Sequence, residues 1–345
     1  FQLNDDTYTG TKEVSENLKF ESKLLQEWIN DNVKDSGNIE KIEQFKGGQS
    51  NPTYLVETNI NNFVLRRKPP GKLLKSAHAV DRECRVMTAL YDTDVPVPKT
   101  FGYCDDETVI GTPFFVMDHV IGNIYWELLL PGCDPNQRRE IYLSMNDTIA
   151  KLHNVDFDKV NLADYGKHEN YMDRQIHRWT KQYKDSETQM IPEINELIEW
   201  LPKNIPSDQE TSIVHGDFRL DNMIFDPITH EVKAILDWEL STLGNPIADF
   251  TYHMMSWRLP AGAKGLGMMG SDLKSLNIPS ESEYAELYYK KTGREKIDNW
   301  DFYMAYNIFR LAGIAQGIVG RVRAVSYTHL RAHETEADLV CRLLL

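Results

Sequence analysis

The sequence predicts an α+β protein with two lobes: a small lobe built on a five-stranded antiparallel sheet and a larger lobe that is mostly helical. Three observations lead to this prediction. Residues 37–120 carry strand-like runs, residues 121–325 carry mainly helical periodicity, and 345 residues exceed the size of one compact core. We expect the two lobes to join near Asp118–Asn123.

The small lobe is predicted to contain five strands and one inserted helix. Before it, residues 1–36 are expected to form an N-terminal helical region, because apolar residues recur at helical spacing over Glu16–Val33. The inserted helix is expected at Ser76–Tyr91 and ends before two prolines. The predicted strands are Ile39–Phe45, Thr53–Thr58, Asn62–Arg67, Lys99–Cys104 and Thr112–His119.

The larger lobe is predicted from helical periodicity that follows Gly122. Between its helices lies one strand-rich stretch, Ser212–Leu240. Within Gly244–Phe250, we interpret Asp249 as a loop anchor, a buried carboxylate that accepts backbone N–H groups. The predicted helices are Asn136–Val155, Tyr171–Lys184, Pro192–Leu201, Glu281–Thr292 and Asp301–Val319.

The two ends of the chain have unusual features. Residues 326–345 resemble the conceptual translation of a sequencing adapter, so we expect a non-native tail. The alternative is a genuine amphipathic helix. The chain begins at Phe1 rather than at Met, and we expect the natural protein to continue beyond Val325.

Composition excludes several classes of protein. Lys and Arg total 38 against 52 Asp and Glu, and a formal net charge of −14 disfavours nucleic acid as a partner. No apolar run approaches the roughly 20 residues that a transmembrane helix needs. The four cysteines form no C-x-x-C pair, which indicates a reducing, intracellular compartment.

The stretch His215-Gly216-Asp217 and the residues after it carry the most chemical information. Asn222 and Asp237 flank two apolar runs joined by a turn, and such a hairpin brings its outer ends together. An amide oxygen and a carboxylate at that point suit Mg²⁺ with bound phosphates. Asp217 is placed to accept a proton from a substrate hydroxyl.

A glycine-rich turn between the first two predicted strands indicates a phosphate site. Gly47 and Gly48 allow the backbone to approach a ligand closely, and Gln49 and Ser50 follow them. Backbone amides and the Ser50 hydroxyl can donate hydrogen bonds to phosphate oxygens. The position of this turn, ahead of the other motifs, adds weight to a weak local signal.

The pattern H-G-D-x-x-x-x-N followed by L-D-W-E resembles the aminoglycoside phosphotransferase family, relatives of protein kinases. The resemblance implies a bilobal protein-kinase-like fold and a kinase that uses ATP and Mg²⁺. It also implies that Asp217 is the catalytic base and that Asn222 and Asp237 are metal ligands. For His215 we prefer a role in fixing the loop, and for Glu239 a ligand role and a solvated role remain equally open.

The same resemblance assigns residues that bind the nucleotide. Arg66 stands where kinases carry a phosphate-binding Lys, with Lys68 as the alternative and Arg67 expected to face solvent. Its helix partner is expected to be Glu83. Backbone groups near Asp118 and Val120, in the segment that joins the lobes, are expected to contact adenine.

Longer stretches resemble the kinase-like region of acyl-CoA dehydrogenase family members ten and eleven, over about Phe20–Arg323. The resemblance implies phosphorylation of a 4-hydroxyacyl-CoA in fatty-acid catabolism, fusion to an acyl-CoA dehydrogenase domain, and a mitochondrial or peroxisomal location. Without the resemblance, a cytoplasmic location is the alternative. Two other interpretations stay open. One is a kinase of an aminoglycoside, choline or another metabolite hydroxyl, and the other is a pseudokinase module that binds nucleotide.

Overall fold

A computed structural model describes the fold of the 345-residue chain. It describes residues 9–47, 51–71, 79–207, 210–262, 267–296 and 299–328, with side chains up to residue 320. These residues form two compact units. The first unit comprises the described parts of residues 1–126, 159–162 and 220–241, and the second comprises those of residues 127–158, 163–219 and 242–345.

The predicted strands and helices are all present, and β2, β3, β4 and α8 have the predicted ends. Within the described residues the strands are β1 Thr11–Lys12, β2 Ile39–Phe45, β3 Thr53–Thr58, β4 Asn62–Arg67, β5 Thr100–Cys104, β6 Phe114–Asp118, β7 Ser212–Val214, β8 Met223–Phe225, β9 Val232–Ile235 and β10 Thr242–Gly244. The α-helices are α1 Ser22–Asn32, α2 Val80–Leu90, α3 Glu107–Ile110, α4 Pro135–Asn154, α5 Tyr171–Asp185, α6 Pro192–Trp200, α7 Pro246–Met254, α8 Glu281–Thr292 and α9 Trp300–Thr328.

One antiparallel sheet dominates the first unit, with the strand order β1-β2-β3-β4-β6-β5. It consists of the five predicted strands and the short β1, which pairs with β2 at the edge. The connection from β3 to β4 is closed by Thr58, whose N–H and hydroxyl both donate to the carbonyl of Asn61, at 3.0 and 2.7 Å. The resulting register places Arg66 opposite Thr53 on β3 and Phe115 on β6.

The core of the first unit lies between the sheet and α1. Residues two apart on a strand share a face, so the apolar pairs of β3, β4 and β6 cover the same side. Arg66 follows the core residue Leu65 and therefore lies on the opposite side of β4. The buried cluster includes Leu25, Ile29, Tyr54, Val56, Phe63, Leu65, Phe114 and Val116.

The expectation that Arg67 faces solvent is wrong. Its side chain is buried, and it donates to the carbonyl oxygens of Ile110 (3.0 Å) and Leu18 (2.9 Å). Its guanidinium lies over the rings of Phe20 and Tyr54, at 5.0 and 5.4 Å from their centroids. Arg67 lies two residues after Leu65 and therefore shares the core side of β4, where the segment around Leu18 covers it.

The second unit is built around packed helices and a cluster of buried aromatic side chains. Helix α4 packs on α8, and both α5 and α7 pack on α9. Helix α4 begins with a capping box in which Asp134 and Gln137 bond each other's backbone N–H groups. At the centre, the rings of Phe250 and Tyr288 stack with centroids 3.8 Å apart.

Helix α7, which contains Asp249, is absent from the predicted helices. The Asn245 side-chain oxygen accepts hydrogen bonds from the N–H groups of Ile247 and Ala248, at 2.9 and 3.0 Å. Asn before Pro is a favourable start for a helix, because Asn caps the first turn and Pro needs no N–H partner there. The start signal was present, but the helix is only nine residues long.

Helix α9 continues to Thr328, three residues into the segment predicted to be a non-native tail. Residues 329–345 lie outside the described residues, as do Lys72–His78, which include the predicted start of α2. Among the described helices, none is both long and apolar enough to span a membrane.

Candidate active site

Arg66 is the centre of a charged cluster in the first unit. Its Nε lies 2.8 Å from Glu83 Oε2, and its Nη2 donates to Asp237 Oδ1 at 2.5 Å. The contact with Glu83 is an ion pair without the geometry of a directed hydrogen bond. The predicted pairing of Arg66 with Glu83 is therefore confirmed. The register of β4 makes it possible, because Arg66 points away from the apolar core.

Two further residues complete this Arg66 cluster, which we define as Asn51, Arg66, Glu83, Asp237 and Glu239. The Asn51 amide is buried and donates to Glu83 Oε1 at 2.8 Å, with Glu239 Oε2 at 3.5 Å. Glu83 is 1% exposed. The cluster thus gathers three carboxylates around one guanidinium, and two of the carboxylates come from a distant part of the chain.

Burial and charge act against each other on the ionisable groups of the Arg66 cluster. Burial, together with the negative charges of Asp237 and Glu239, raises the pKa of Glu83 to about 7, although Arg66 opposes the rise. For Arg66, burial disfavours the charged form, but Glu83, Asp237 and Glu239 outweigh it and raise the pKa. The carboxylates repel one another, so the site favours an additional positive charge.

The predicted hairpin brings Asn222 and Asp237 to neighbouring positions. Strands β8 and β9 pair antiparallel, and Leu236 N–H donates to the carbonyl of Asn222 at 2.8 Å. Asp237 follows directly, with a left-handed φ of 63° that Asp tolerates better than most residues. Its side chain is 31% exposed, so one end of the hairpin presents a carboxylate that a ligand can reach.

The donors at this hairpin fit Mg²⁺ chemically, since Asn222 and Asp237 offer hard oxygen atoms. Within the described residues, no three His, Cys, Asp or Glu side chains form a ready-made metal site. Asp237 Oδ1 already binds Arg66. A bound Mg²⁺ would therefore take most of its ligands from phosphate oxygens and water, as Mg²⁺ sites commonly do.

The segment predicted to contact adenine follows β6. Asp118 ends that strand, and its N–H donates to the Lys99 carbonyl at 2.9 Å, while burial raises the pKa of its side chain. Val120 is partly buried. After it, Asn123 and Phe225 exchange two backbone hydrogen bonds of 2.8 Å, so this segment is fixed to the hairpin that carries Asn222 and Asp237.

The glycine-rich turn is only partly described. Gly47 is the second residue after β2, whereas Gly48, Gln49 and Ser50 lie outside the described residues. The turn ends at Asn51, which is fully buried in the Arg66 cluster. Asn51 was not among the residues predicted for this site.

Asp217 lies in the second unit, in a loop that begins at His215 directly after β7. Asp249 fixes this loop: its carboxylate accepts hydrogen bonds from the N–H groups of His215 and Gly216, both at 2.8 Å. The predicted anchoring by Asp249 is thus confirmed, although the residue lies on α7. His215 is fully buried and its Nδ1 accepts the Asp217 N–H at 3.2 Å, which confirms that it fixes the loop.

A buried histidine supports Asp249 from the other side. His153 Nε2 lies 3.2 Å from Asp249 Oδ2, and its Nδ1 lies 2.7 Å from the Tyr288 hydroxyl. Burial lowers the pKa of His153. A neutral ring then donates from Nε2 to the carboxylate and accepts from Tyr288 at Nδ1. Although burial opposes it, the bond from His153 helps to keep the pKa of Asp249 low.

The carboxylate of Asp217 contacts a residue that the sequence analysis missed. The Tyr252 hydroxyl donates to Asp217 Oδ1 at 2.8 Å. Arg310, also missed, donates from Nη2 to the carbonyl of Gly216 at 2.6 Å. Tyr252 lies on α7, which was not predicted. Arg310 did leave a signal, because it is a lone charge within an apolar helical run.

The chain is similar to known proteins along most of its length. A family profile described as "Phosphotransferase enzyme family" matches residues 41–286. The solved structure of a proposed aminoglycoside phosphotransferase from Ralstonia eutropha is 45% identical, with a TM-score of 0.85 over 94% of this chain and 95% of that one.

Two curated relatives extend the comparison. Acyl-CoA dehydrogenase family member 10 of Mus musculus is 44% identical over 315 residues, which cover 90% of this chain and 29% of that protein. Acyl-CoA dehydrogenase family member 11 of Homo sapiens is 41% identical over 322 residues, which cover 91% and 41% respectively. The chain therefore spans less than half the length of these relatives. Both matches confirm the resemblances seen in the sequence.

The family match includes both the Arg66 cluster and the Asp217 loop. It covers well over half of the chain, and the R. eutropha structure has the same α+β fold from end to end. The chain belongs to the phosphotransferase enzyme family, with the kinase-like fold of the aminoglycoside phosphotransferases.

Proposed function

We propose that this chain transfers the γ-phosphoryl group of ATP, with Mg²⁺, to the hydroxyl of a 4-hydroxyacyl-CoA. The observation that carries the ATP-dependent part is the Arg66 cluster. It joins a strand arginine, a helix glutamate and the carboxylate at the end of the hairpin, with separations of 2.8 and 2.5 Å. A kinase holds nucleotide phosphates and metal with a strand Lys, a helix Glu and a metal-binding Asp, and Arg66 takes the place of the Lys here.

In this proposal the first unit holds the nucleotide. Arg66 binds phosphate oxygens, and Glu83 keeps its guanidinium in place. Asn222 and Asp237 hold Mg²⁺, which neutralises phosphate charge when bound. The turn with Gly47, Gly48, Gln49 and Ser50 donates hydrogen bonds to phosphate, and backbone groups near Asp118 and Val120 contact adenine. Glu239 adds negative charge beside the metal ligands.

The second unit supplies the base. Asp217 accepts the proton of the acceptor hydroxyl as the hydroxyl oxygen bonds to the γ-phosphorus. The bond from that phosphorus to the bridging oxygen breaks, and ADP leaves with the electron pair. The two backbone bonds to Asp249 hold the loop that carries Asp217, so this carboxylate is fixed before the substrate arrives.

The acceptor is proposed from the relatives. Two acyl-CoA dehydrogenase family members are similar to this chain over 90% or more of its length. A hydroxyl is a poor leaving group, and its phosphate ester is a good one. A kinase that accompanies acyl-CoA chemistry would therefore act on a hydroxyacyl-CoA to prepare removal of its oxygen as phosphate.

Other parts of the proposal follow from the same relatives. We propose that the natural protein also contains an acyl-CoA dehydrogenase domain and acts in mitochondria or peroxisomes. Residues 1–36 are proposed to form an N-terminal region, and residues 37–120 to bind nucleotide. Residues 121–325 are proposed to carry the base and the acceptor site, and residues 326–345 to be a non-native tail. There are two rival functions. One is a kinase whose acceptor is an aminoglycoside or choline, and the other is a module that binds nucleotide without turnover.

One assay separates these functions. The purified chain is given Mg²⁺ and ATP labelled at the γ-phosphorus, with 4-hydroxyacyl-CoAs, free 4-hydroxy acids, kanamycin and choline as separate acceptors. We expect label to move to the 4-hydroxyacyl-CoAs, and to those acceptors most rapidly. Faster transfer to kanamycin or choline would show that the proposed 4-hydroxyacyl-CoA is not the acceptor. ATP binding without transfer to any of the four would favour the non-catalytic module. The matched control is Asp217→Asn.

A further inference from the structure

Tyr252 on α7 contacts the proposed base directly. Its hydroxyl donates to Asp217 Oδ1 at 2.8 Å, and its side chain is 5% exposed. Asp249, which anchors the Asp217 loop through His215 and Gly216, lies three residues before Tyr252 on the same helix. Helix α7 therefore binds the backbone of the loop through Asp249 and the carboxylate of the base through Tyr252.

Arg310 on α9 fixes the ring of Tyr252. Its guanidinium lies 4.3 Å from the centre of that ring, and its Nη2 donates to the Gly216 carbonyl at 2.6 Å. Because Gly216 precedes Asp217, this one side chain holds both the residue before the base and the base's hydrogen-bond donor. Arg310 is 7% exposed, so the arrangement is buried and has little freedom to rearrange.

The hydroxyl of Tyr252 has only one way to bind the carboxylate. Burial and the negative charge of Asp217 raise its pKa, so the phenol keeps its proton. A protonated phenol donates, and an ionised carboxylate accepts, so the bond has a fixed direction. Bonds to a charged acceptor are stronger than bonds between neutral groups.

We propose that Tyr252 is a positioning residue, held by Arg310, that sets the orientation of the Asp217 carboxylate for the acceptor hydroxyl. This inference rests on the proposed role of Asp217 as the base. A carboxylate turns about two side-chain bonds, and one strong bond to Oδ1 removes most of that freedom. Misplacing a reacting group by about 1 Å can cost about 100-fold in rate.

The test compares two tyrosines that differ in what their hydroxyls contact. Tyr252→Phe keeps the ring under Arg310 and removes only the bond to Asp217. Tyr142→Phe is the control, because its hydroxyl is also buried and donates at 2.8 Å, but to the backbone carbonyl of Leu128. The measurements are kcat and the KM of the acceptor that wild type phosphorylates fastest, the Kd of ATP, and the melting temperature.

We expect kcat of Tyr252→Phe to fall by about 10- to 100-fold, with the Kd of ATP unchanged. Tyr142→Phe should lower the melting temperature to a similar extent and leave kcat within about twofold of wild type. An equal fall in kcat in both variants would mean that any lost buried hydroxyl has this effect, and would overturn the inference.

A double variant tests whether Tyr252 acts through Asp217. If Tyr252 acts only through Asp217, Tyr252→Phe combined with Asp217→Asn turns over no more slowly than Asp217→Asn alone. If the turnover of the double variant falls by the product of the two single-variant losses, Tyr252 has an independent role and the inference is overturned. Full turnover in Asp217→Asn would overturn the proposed function itself. Full turnover in Tyr252→Phe, beside a slow Asp217→Asn, would overturn only the positioning role.

Discussion

The Arg66 cluster of the first unit and the Asp217 loop of the second each bury one arginine, but they surround it differently. Arg66 has Glu83 and Asp237 as ion-pair partners and Glu239 nearby. Arg310 has a backbone carbonyl and the rings of Tyr252 and Trp179, at 4.3 and 5.4 Å from its guanidinium.

This difference suggests that the Arg66 cluster binds a charged ligand, whereas the contacts of Arg310 fix the positions of neighbouring groups. Three carboxylates exceed the single positive charge of Arg66, so a bound cation improves the balance of the cluster. Arg310 instead contacts a backbone carbonyl and two aromatic rings. We therefore expect substitutions in the first region to change ligand binding, and substitutions beside Arg310 to change stability or turnover.

The largest effect is expected from Asp217→Asn. Asn cannot accept the hydroxyl proton, so turnover should fall by about 10²- to 10⁴-fold. The Kd of ATP should stay near the wild-type value, because the proposed nucleotide ligands lie in the first unit. Turnover, the Kd of ATP and the melting temperature are measured on the same protein. A joint loss of melting temperature and ATP affinity would give Asp217 a structural role and contradict the comparison.

Arg66→Met should produce the opposite pattern, with a loss of ATP affinity of about 10- to 100-fold. It also leaves Glu83 buried without its cation, which should destabilise the fold by about 3–5 kcal/mol. Arg66→Lys is the matched variant, since a point charge can still meet phosphate, and we expect it to remain within about tenfold of wild type in affinity. Calorimetric titration and denaturant unfolding measure both quantities. ATP affinity that survives in Arg66→Met would remove Arg66 from the nucleotide site.

Arg310→Met should lower stability by about 3 kcal/mol, because it leaves the Gly216 carbonyl without this donor and removes packing against Tyr252. The Kd of ATP should not change. Arg178→Met is the control: its guanidinium also lies over Trp179, at 5.5 Å, but it is exposed and should contribute less than about 0.5 kcal/mol. Equal stability losses in the two variants would show that the buried contacts of Arg310 are unimportant.

Glu83 should make stability depend on pH in the absence of ligand. Its folded-state pKa of about 7 lies above the ordinary value of 4.5, so the folded protein binds this proton more tightly than the unfolded chain. The contribution is complete below pH about 4.5 and is lost as pH rises through about 7, by about 1–3 kcal/mol. Unfolding by denaturant is compared between wild type and Glu83→Gln, which does not titrate. Parallel pH curves would contradict the raised pKa.

Several parts of both regions were predictable from local patterns. Alternation and turn residues predicted the ends of β2, β3 and β4, and therefore the position of Arg66. The spacing of the motif after Asp217 predicted the hairpin that brings Asn222 and Asp237 together. These features depend on residues close in sequence, or on a pattern shared with a known family.

The missed residues depend on contacts between distant segments. Asn51 bonds Glu83 from 32 residues away, and nothing in a polar turn distinguishes a buried amide from a solvated one. Tyr252 reaches Asp217 across 35 residues from a helix too short for its periodicity to be recognised. Arg67 contacts the carbonyl of Leu18 across 49 residues.

The most direct test of the central claim, that the Arg66 cluster and the hairpin form the nucleotide and metal site, is an ATP titration. Wild type and Asp237→Ala are each titrated with ATP, once with Mg²⁺ and once with excess chelator. We predict that chelator weakens ATP binding to wild type sharply and that Asp237→Ala binds ATP equally weakly in both conditions. Equal wild-type affinity with and without Mg²⁺ would contradict the account.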